Sequence, residues 1–110
     1  MKMPNSGQSF VPEQKITDYL LSDAHETGKH KAKFFSSFGF GIADAATFKA
    51  ALIQHSVVRD IDSEQQTPFG AKYILTCKIQ TPDERNPCVV TVWIIETGKE
   101  APKLITAYPN

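Results

Sequence analysis

Apolar residues recur along this chain at two different spacings, and the change from one to the other divides it. In the first half the spacing is that of helices. After a polar start, Pro12 suits the first turn of a helix whose apolar stripe is Ile16, Tyr19 and Leu20. Ser22-Asp23-Ala24 ends it. A second helix is expected from near Gly28 to Phe38, stopped by Gly39 and Gly41. Asp44 is placed to cap a third, in which Phe48, Ala51, Leu52 and His55 follow one another at helical intervals.

From Val57 the period falls toward two. Val58 and Ile61 are read as the opening of a strand, and Thr67-Pro68-Phe69-Gly70 as a turn. Lys72 to Gln80 then alternates. Tyr73, Leu75, Cys77 and Ile79 fall on one face, and Lys72, Thr76, Lys78 and Gln80 on the other, with Ile74 an exception there. Thr81 to Pro87 is a polar hairpin loop with prolines at 82 and 87. Val89 to Ile95 is apolar on both faces, the mark of a central strand. A turn at Gly98 to Pro102 leads to a closing strand over Lys103 to Tyr108. Short connections favour an antiparallel meander. The expected fold is α+β, with N-terminal helices packed on one face of a four-stranded antiparallel sheet. Residues 1–10 are expected to be a flexible start, and residues 11–110 one domain.

Composition changes this picture little. The 110 residues carry twelve acids and twelve bases, so no global field directs the chain to nucleic acid or membrane. The 41% apolar and 22% charged fractions are those of a globular domain. No apolar run approaches the roughly 18 residues needed to span a membrane. Met1 to Ser9 lacks the apolar core of a signal peptide, so the chain is expected in the cytoplasm. Cys77 and Cys88 read as small hydrophobes in a reducing compartment, with a cross-hairpin disulfide as the alternative. Nothing supplies four ligands at zinc spacings, so neither metal nor cofactor is expected.

The candidate chemistry sits mainly in His25-Glu26-Thr27-Gly28-Lys29-His30-Lys31-Ala32-Lys33-Phe34-Phe35. At 100° per residue, Phe34, Phe35 and Phe38 share the arc that must face the sheet, and Lys31 lies near its middle, while Lys29 and Lys33 point away. Lys31 either snorkels past the core or meets an anion at the sheet's edge, where lost hydration strengthens its hold on phosphate. His25, before the helix, has a ring suited to proton transfer near neutral pH. His30 lies on the helix flank, and His55 reads as a packed or last-turn histidine. Thr106 and Tyr108 align two hydroxyls on one face of the last strand, suited to phosphate oxygens and ribose. Lys72 supplements the charge. Trp93 is read as core first and as a base-stacking platform second.

The succession of "KITDYLL", His-x-x-Gly-x-x-Lys-Ala-x-Phe-Phe, "TPFGAKY", "TVWII" and "APKLITAYP" resembles a small bacterial family of uncharacterised domains, found alone and at the C-terminal tips of polymorphic toxins. The resemblance runs from Phe10 to Pro109. That family in turn resembles the barnase, colicin and RelE-like group of metal-independent ribonuclease toxins. The resemblance implies that His25, Lys31, Thr106 and Tyr108 form a catalytic set; apart from the resemblance, Lys29, His30, Lys72 and Trp93 are expected to bind substrate. The resemblance also implies attack of a ribose 2′-hydroxyl on its own phosphate, with no metal. The implied partners are RNA, either tRNA or ribosome-associated mRNA, and a small antitoxin or immunity protein. A delivered toxin would act in the cytoplasm of a target cell. The alternatives are a non-catalytic module of the same fold that binds protein or nucleic acid, and an immunity-type or phage-associated protein that shares the fold. No glutamate stands where barnase-type chemistry uses a base, Glu26 having no geometric claim to that role.

Overall fold

The computed structural model describes residues 1–16, 29–41 and 45–110, with side chains from position 32 onward in the second stretch. Helix α1 opens at Glu13–Lys15, with Pro12 at its N-cap, and Ile16 follows, buried. The remaining turns read for this helix lie outside the described residues. Helix α2 spans Lys29–Ser37 and α3 spans Ala45–Val58. The strands are β1 (Ile61–Thr67), β2 (Gly70–Lys78), β3 (Cys88–Glu96) and β4 (Lys103–Pro109). They form one antiparallel sheet in the order β1-β2-β3-β4. The expected α+β architecture is therefore the observed one.

Helix α2 stops where a glycine permits it. Gly39, at φ 102°, lets the Phe40 N–H reach back to the Phe35 carbonyl at 3.3 Å and its own N–H to Ser36 at 3.0 Å. These two bonds satisfy carbonyls that the last turn leaves open. The apolar contact that accompanies such an ending is Phe35 with Phe40, ring centroids 6.3 Å apart. Phe48 of α3 closes the cluster, 4.7 Å from Phe35 and 4.5 Å from Phe40. Each of these rings is almost fully buried, worth about 1.5–3 kcal/mol apiece. From the β2–β3 loop, Arg85 donates to the Ser37 carbonyl, pairs with Asp83 and lies 4.3 Å over the Phe38 ring. That loop thus pins the end of α2.

The inner face of the sheet carries Tyr73, Leu75, Val89, Trp93, Leu104 and Ala107, which join Ile16, Phe35, Phe48 and Leu52 in one core. Where β1 turns into β2, the Thr67 hydroxyl gathers the turn, accepting from the Phe69 and Gly70 N–H groups and donating to the Gly70 carbonyl. Gly70, at φ 145°, lies so close to β3 that an added Cβ would fall 2.3 Å from the Ile95 carbonyl oxygen. No side chain fits there.

Two expectations need correcting. Val57 and Val58 belong to the last turn of α3 rather than to a strand, because that turn finds donors for its carbonyls. The Arg59 N–H bonds His55 O, and Lys2 Nζ bonds Val58 O. Cys77 is exposed rather than inward, since its φ of 120° removes it from the alternation while Leu75 and Ile79 stay buried. Both cysteines are free. A hydrogen bond with Cys88 is the largest of the influences that raise the Cys77 thiol pKa.

The first ten residues make specific contacts with the rest of the domain. The Ile61 N–H bonds Met1 O at 2.8 Å, and Asp60 pairs with Lys2 at 3.2 Å and with the N-terminal ammonium at 3.5 Å. Met3 is buried, Asn5 donates to Glu100 O, and Phe10 exchanges backbone bonds with Pro102 and Leu104. This segment links the start of one edge strand, β1, to the start of the other, β4.

Candidate functional site

Residues paired across antiparallel strands share a face, so the register identifies what the outer face presents. Val92 pairs with Ile74 and Thr106, and Val90 pairs with Thr76 and Tyr108. Lys72, Ile94 and Lys103 form the next row. The outer face therefore has an apolar floor of Ile74, Val90, Val92 and Ile94. Hydroxyls of Thr76, Thr106 and Tyr108 stand at one end and the lysines at the other.

The row on β4 survives a local irregularity. The register shifts between Val92 and Trp93, which leaves Ile105 as an extra residue on β4. Leu104 and Ala107 remain fully buried on the inner face. Thr106 and Tyr108 consequently occupy successive outer positions, as the alternation implied. Both are engaged by partners. Ile105 lines a depression of about 490 Å³ with Phe69, Lys72, Ile94, Glu96 and Lys103. Phe69, at the tip of the β1–β2 turn, is 76% exposed, and Lys103 pairs with Glu96 at 3.3 Å.

The helical half of the predicted site is placed only in part. His25 lies outside the described residues. Lys29, His30 and Lys31 form the start of α2, a helix that packs against β4. The buried stripe of α2 centres on Ala32 and Phe35, both almost fully covered, whereas Phe34 and Phe38 are half-buried. The side chain at position 31 lies outside those described, so its reading on the arc of Phe34, Phe35 and Phe38 stands as an expectation. Lys33 is exposed, as its phase requires.

Trp93 is removed from the substrate-binding set. Its side chain is fully buried on the inner face, and its indole N–H donates to Thr91 Oγ1 at 2.9 Å. No base can stack on it. It belongs instead to a buried polar chain that periodicity did not reveal. His55 Nε2 lies 3.0 Å from the Cys77 carbonyl, and Nδ1 lies 3.0 Å from Thr91 Oγ1. A carbonyl only accepts, so Nε2 carries the proton and Nδ1 takes the Thr91 hydroxyl proton. Burial above all pushes the His55 pKa down, which keeps the ring neutral. The signal in the sequence was a threonine set among Val89, Val90, Val92 and Trp93, facing a histidine on a helical stripe.

Against the sheet end of α3 lies a second cationic group that the sequence did not single out. Arg59 and Lys78 line a depression of about 250 Å³ with Gln54, His55 and Gln80. Among the described residues no cluster of three or more histidine, cysteine or carboxylate side chains is arranged to hold a metal. Nor is any helix there long and apolar enough to cross a membrane.

Comparison with known proteins places the fold. A chain of the contact-dependent growth inhibition toxin–immunity protein complex from Klebsiella pneumoniae 342 superimposes with a TM-score of 0.73, at 16% identity. The match covers 96% of this chain and 97% of that one. No curated protein matches the chain. A family profile described as a domain of unknown function (DUF6883) matches residues 2–110, so the chain belongs to the DUF6883 family.

Proposed function

We propose that this chain is a toxin-type ribonuclease whose site lies along β4, the edge strand against which α2 packs. The observation that carries this reading is the pair of hydroxyls, Thr106 and Tyr108, at successive outer positions of the strand against which α1 and α2 pack. The fold shared with a chain from a toxin–immunity complex supports it. In the proposed reaction the ribose 2′-hydroxyl gives up its proton and its oxygen attacks the adjacent phosphorus. The bond to the 5′-oxygen breaks, that oxygen takes a proton, and a cyclic phosphate and a 5′-hydroxyl result. His25 serves proton transfer, Lys31 offsets the charge that grows on the phosphoryl oxygens, and Thr106 and Tyr108 position the phosphate. Lys29, His30 and Lys72 add attraction for the backbone. The partners in this reading are RNA, as tRNA or ribosome-associated mRNA, and an immunity protein or antitoxin. The site of action is the cytoplasm, of the producing or the target cell.

One observation favours a second reading, a non-catalytic module that binds a protein partner. Phe69 stands exposed at the rim of the outer face, beside an apolar row in which Val90, Val92 and Ile94 are themselves buried, and the chain has no net charge. Inducible expression of the wild type and of Lys31→Ala, with total RNA resolved on a denaturing gel, separates the two. The ribonuclease reading expects discrete new fragments with the wild type and none with the variant. Intact RNA and normal growth, with folded wild-type protein in the cells, would leave the binding module.

A further inference from the structure

On the helix-covered side of the sheet, away from the outer face, the seam between the end of α3 and the end of β2 is built for an anion. Two depressions meet there and share Ala51, Gln54 and Gln80. The smaller, about 250 Å³, is lined by Arg59 and Lys78 and by no carboxylate. The larger, about 570 Å³, continues along α3 to Thr47, Thr81 and Asn86 and holds one acid, Glu84. In a chain whose acids and bases balance, a hollow with two cations and no acid is a departure from the average. Arg59 is also short of an acceptor. Its Nε is buried with no hydrogen-bond partner, and Arg59 enters none of the ion pairs among the described residues. The neighbouring Asp60 carboxylate is occupied by Lys2 and the N-terminal ammonium. His55, on the hollow's wall, has both ring nitrogens committed to Thr91 and Cys77.

We infer that this seam is a binding site for a phosphate group, with Arg59 and Lys78 as its cationic ligands and the Gln54 and Gln80 amides as neutral donors. Arg59 lines the hollow with Lys78 and no carboxylate competes for it, and the planar fork of arginine matches phosphate oxygens in pairs. The adjoining larger depression has room for the sugar or base attached to that phosphate. The site is independent of the proposed ribonuclease centre: neither Thr106 nor Tyr108 lines it. Two sources supply this chemistry, the phosphodiester backbone of a nucleic acid and a free phosphate or phosphomonoester.

The test follows the Arg59 Nε–H resonance by NMR. Inorganic phosphate is titrated into the folded protein against sodium chloride at matched ionic strength. In a parallel titration the probe is a short 2′-O-methyl RNA without terminal phosphates, which chemistry at a 2′-hydroxyl cannot cleave. The expected result is a saturable shift of that resonance, weakened about tenfold in Lys78→Gln, the loss of one charge-assisted contact. Lys78 is exposed, so this variant keeps the fold even where a change at Arg59 would not. Saturation at lower concentration with the oligonucleotide assigns the site to a nucleic-acid backbone. Saturation with phosphate alone assigns it to a free phosphate group. Shifts no larger than those chloride produces, in both titrations, or shifts unchanged in Lys78→Gln, overturn the proposal. RNA cleavage in cells is read separately, so either proposal can fail without the other.

Discussion

The two faces of β3 use nearly the same residues to opposite ends. Inward, Val89, Thr91 and Trp93 meet the helices, and the polar atoms among them are consumed internally, indole to hydroxyl to imidazole to carbonyl. Outward, Val90, Val92 and Ile94 are also buried but lie outside the core that the described helices form, and the hydroxyls near them stand on neighbouring strands. Polar groups that satisfy one another under a helix define one packing arrangement. In the proposed reading, Thr106 and Tyr108 on the outer face meet a ligand. The difference separates residues that hold the domain together from residues that are candidates for its chemistry.

The sharpest way to break this division is to truncate the largest inward side chain. Trp93→Ala removes a fully buried indole and should cost about 3–5 kcal/mol, measured by urea denaturation. A stacking platform would instead lose RNA binding while the domain kept its stability. Next comes Thr91→Val, which preserves shape but leaves the Trp93 N–H and His55 Nδ1 without partners. A loss of about 2 kcal/mol is expected, from stranding polar groups in the interior. An unchanged denaturation midpoint would mean that the inner polar chain holds nothing.

The same contrast shows what could be read from the residues beforehand. Features set by neighbours in sequence were legible. Thr67 to Gly70 is a turn because a threonine hydroxyl and a glycine suffice to make one, and α2 ends at Gly39 because the following Phe40 packs back on Phe35. Features set by distant partners were not. Val57 and Val58 look like a strand, yet the carbonyl that prolongs α3 is taken by Lys2, 56 residues away. The contacts of the polar N-terminus are backbone bonds at Met1 and Phe10, which side-chain character does not advertise. β3 is apolar on both sides, so its pattern could not say which face the helices cover. The alternation at Thr106 and Tyr108 was legible despite the extra residue at Ile105. Their relation to position 31 depends on how α2 lies against β4, which no local pattern encodes.

Acidity provides a graded test of the inward chain. The unfolded chain takes a proton on His55 near pH 6.5, whereas the folded domain, which buries the ring, resists doing so to lower pH. Between those two values the unfolded state binds more protons, so stability rises with pH there. The contribution is complete above about pH 6.5 and is lost as pH falls through the depressed folded value. Asp60 and Asp83, also held below the usual carboxylate range, add a loss only at more acid pH. Nitrogen chemical shifts of the His55 ring should report a protonated Nε2 and a bare Nδ1 at neutral pH. A protonated Nδ1, or titration of this ring at the ordinary value, would contradict the buried chain.

The smallest expected effect on stability carries the most information about function. Thr106→Val and Tyr108→Phe each remove one hydroxyl from the outer face and keep the strand's apolar shape. Neither residue is in the inner core, so each change should move stability by no more than about 1 kcal/mol. If these hydroxyls position a phosphate, each variant should still lower the yield of RNA fragments by roughly tenfold or more, as loss of a hydrogen bond made to a charged group implies. Loss of fragments with unchanged unfolding curves would place both hydroxyls in the reaction. Loss of both together would mean that the outer face, like the inner one, serves mainly to hold the fold.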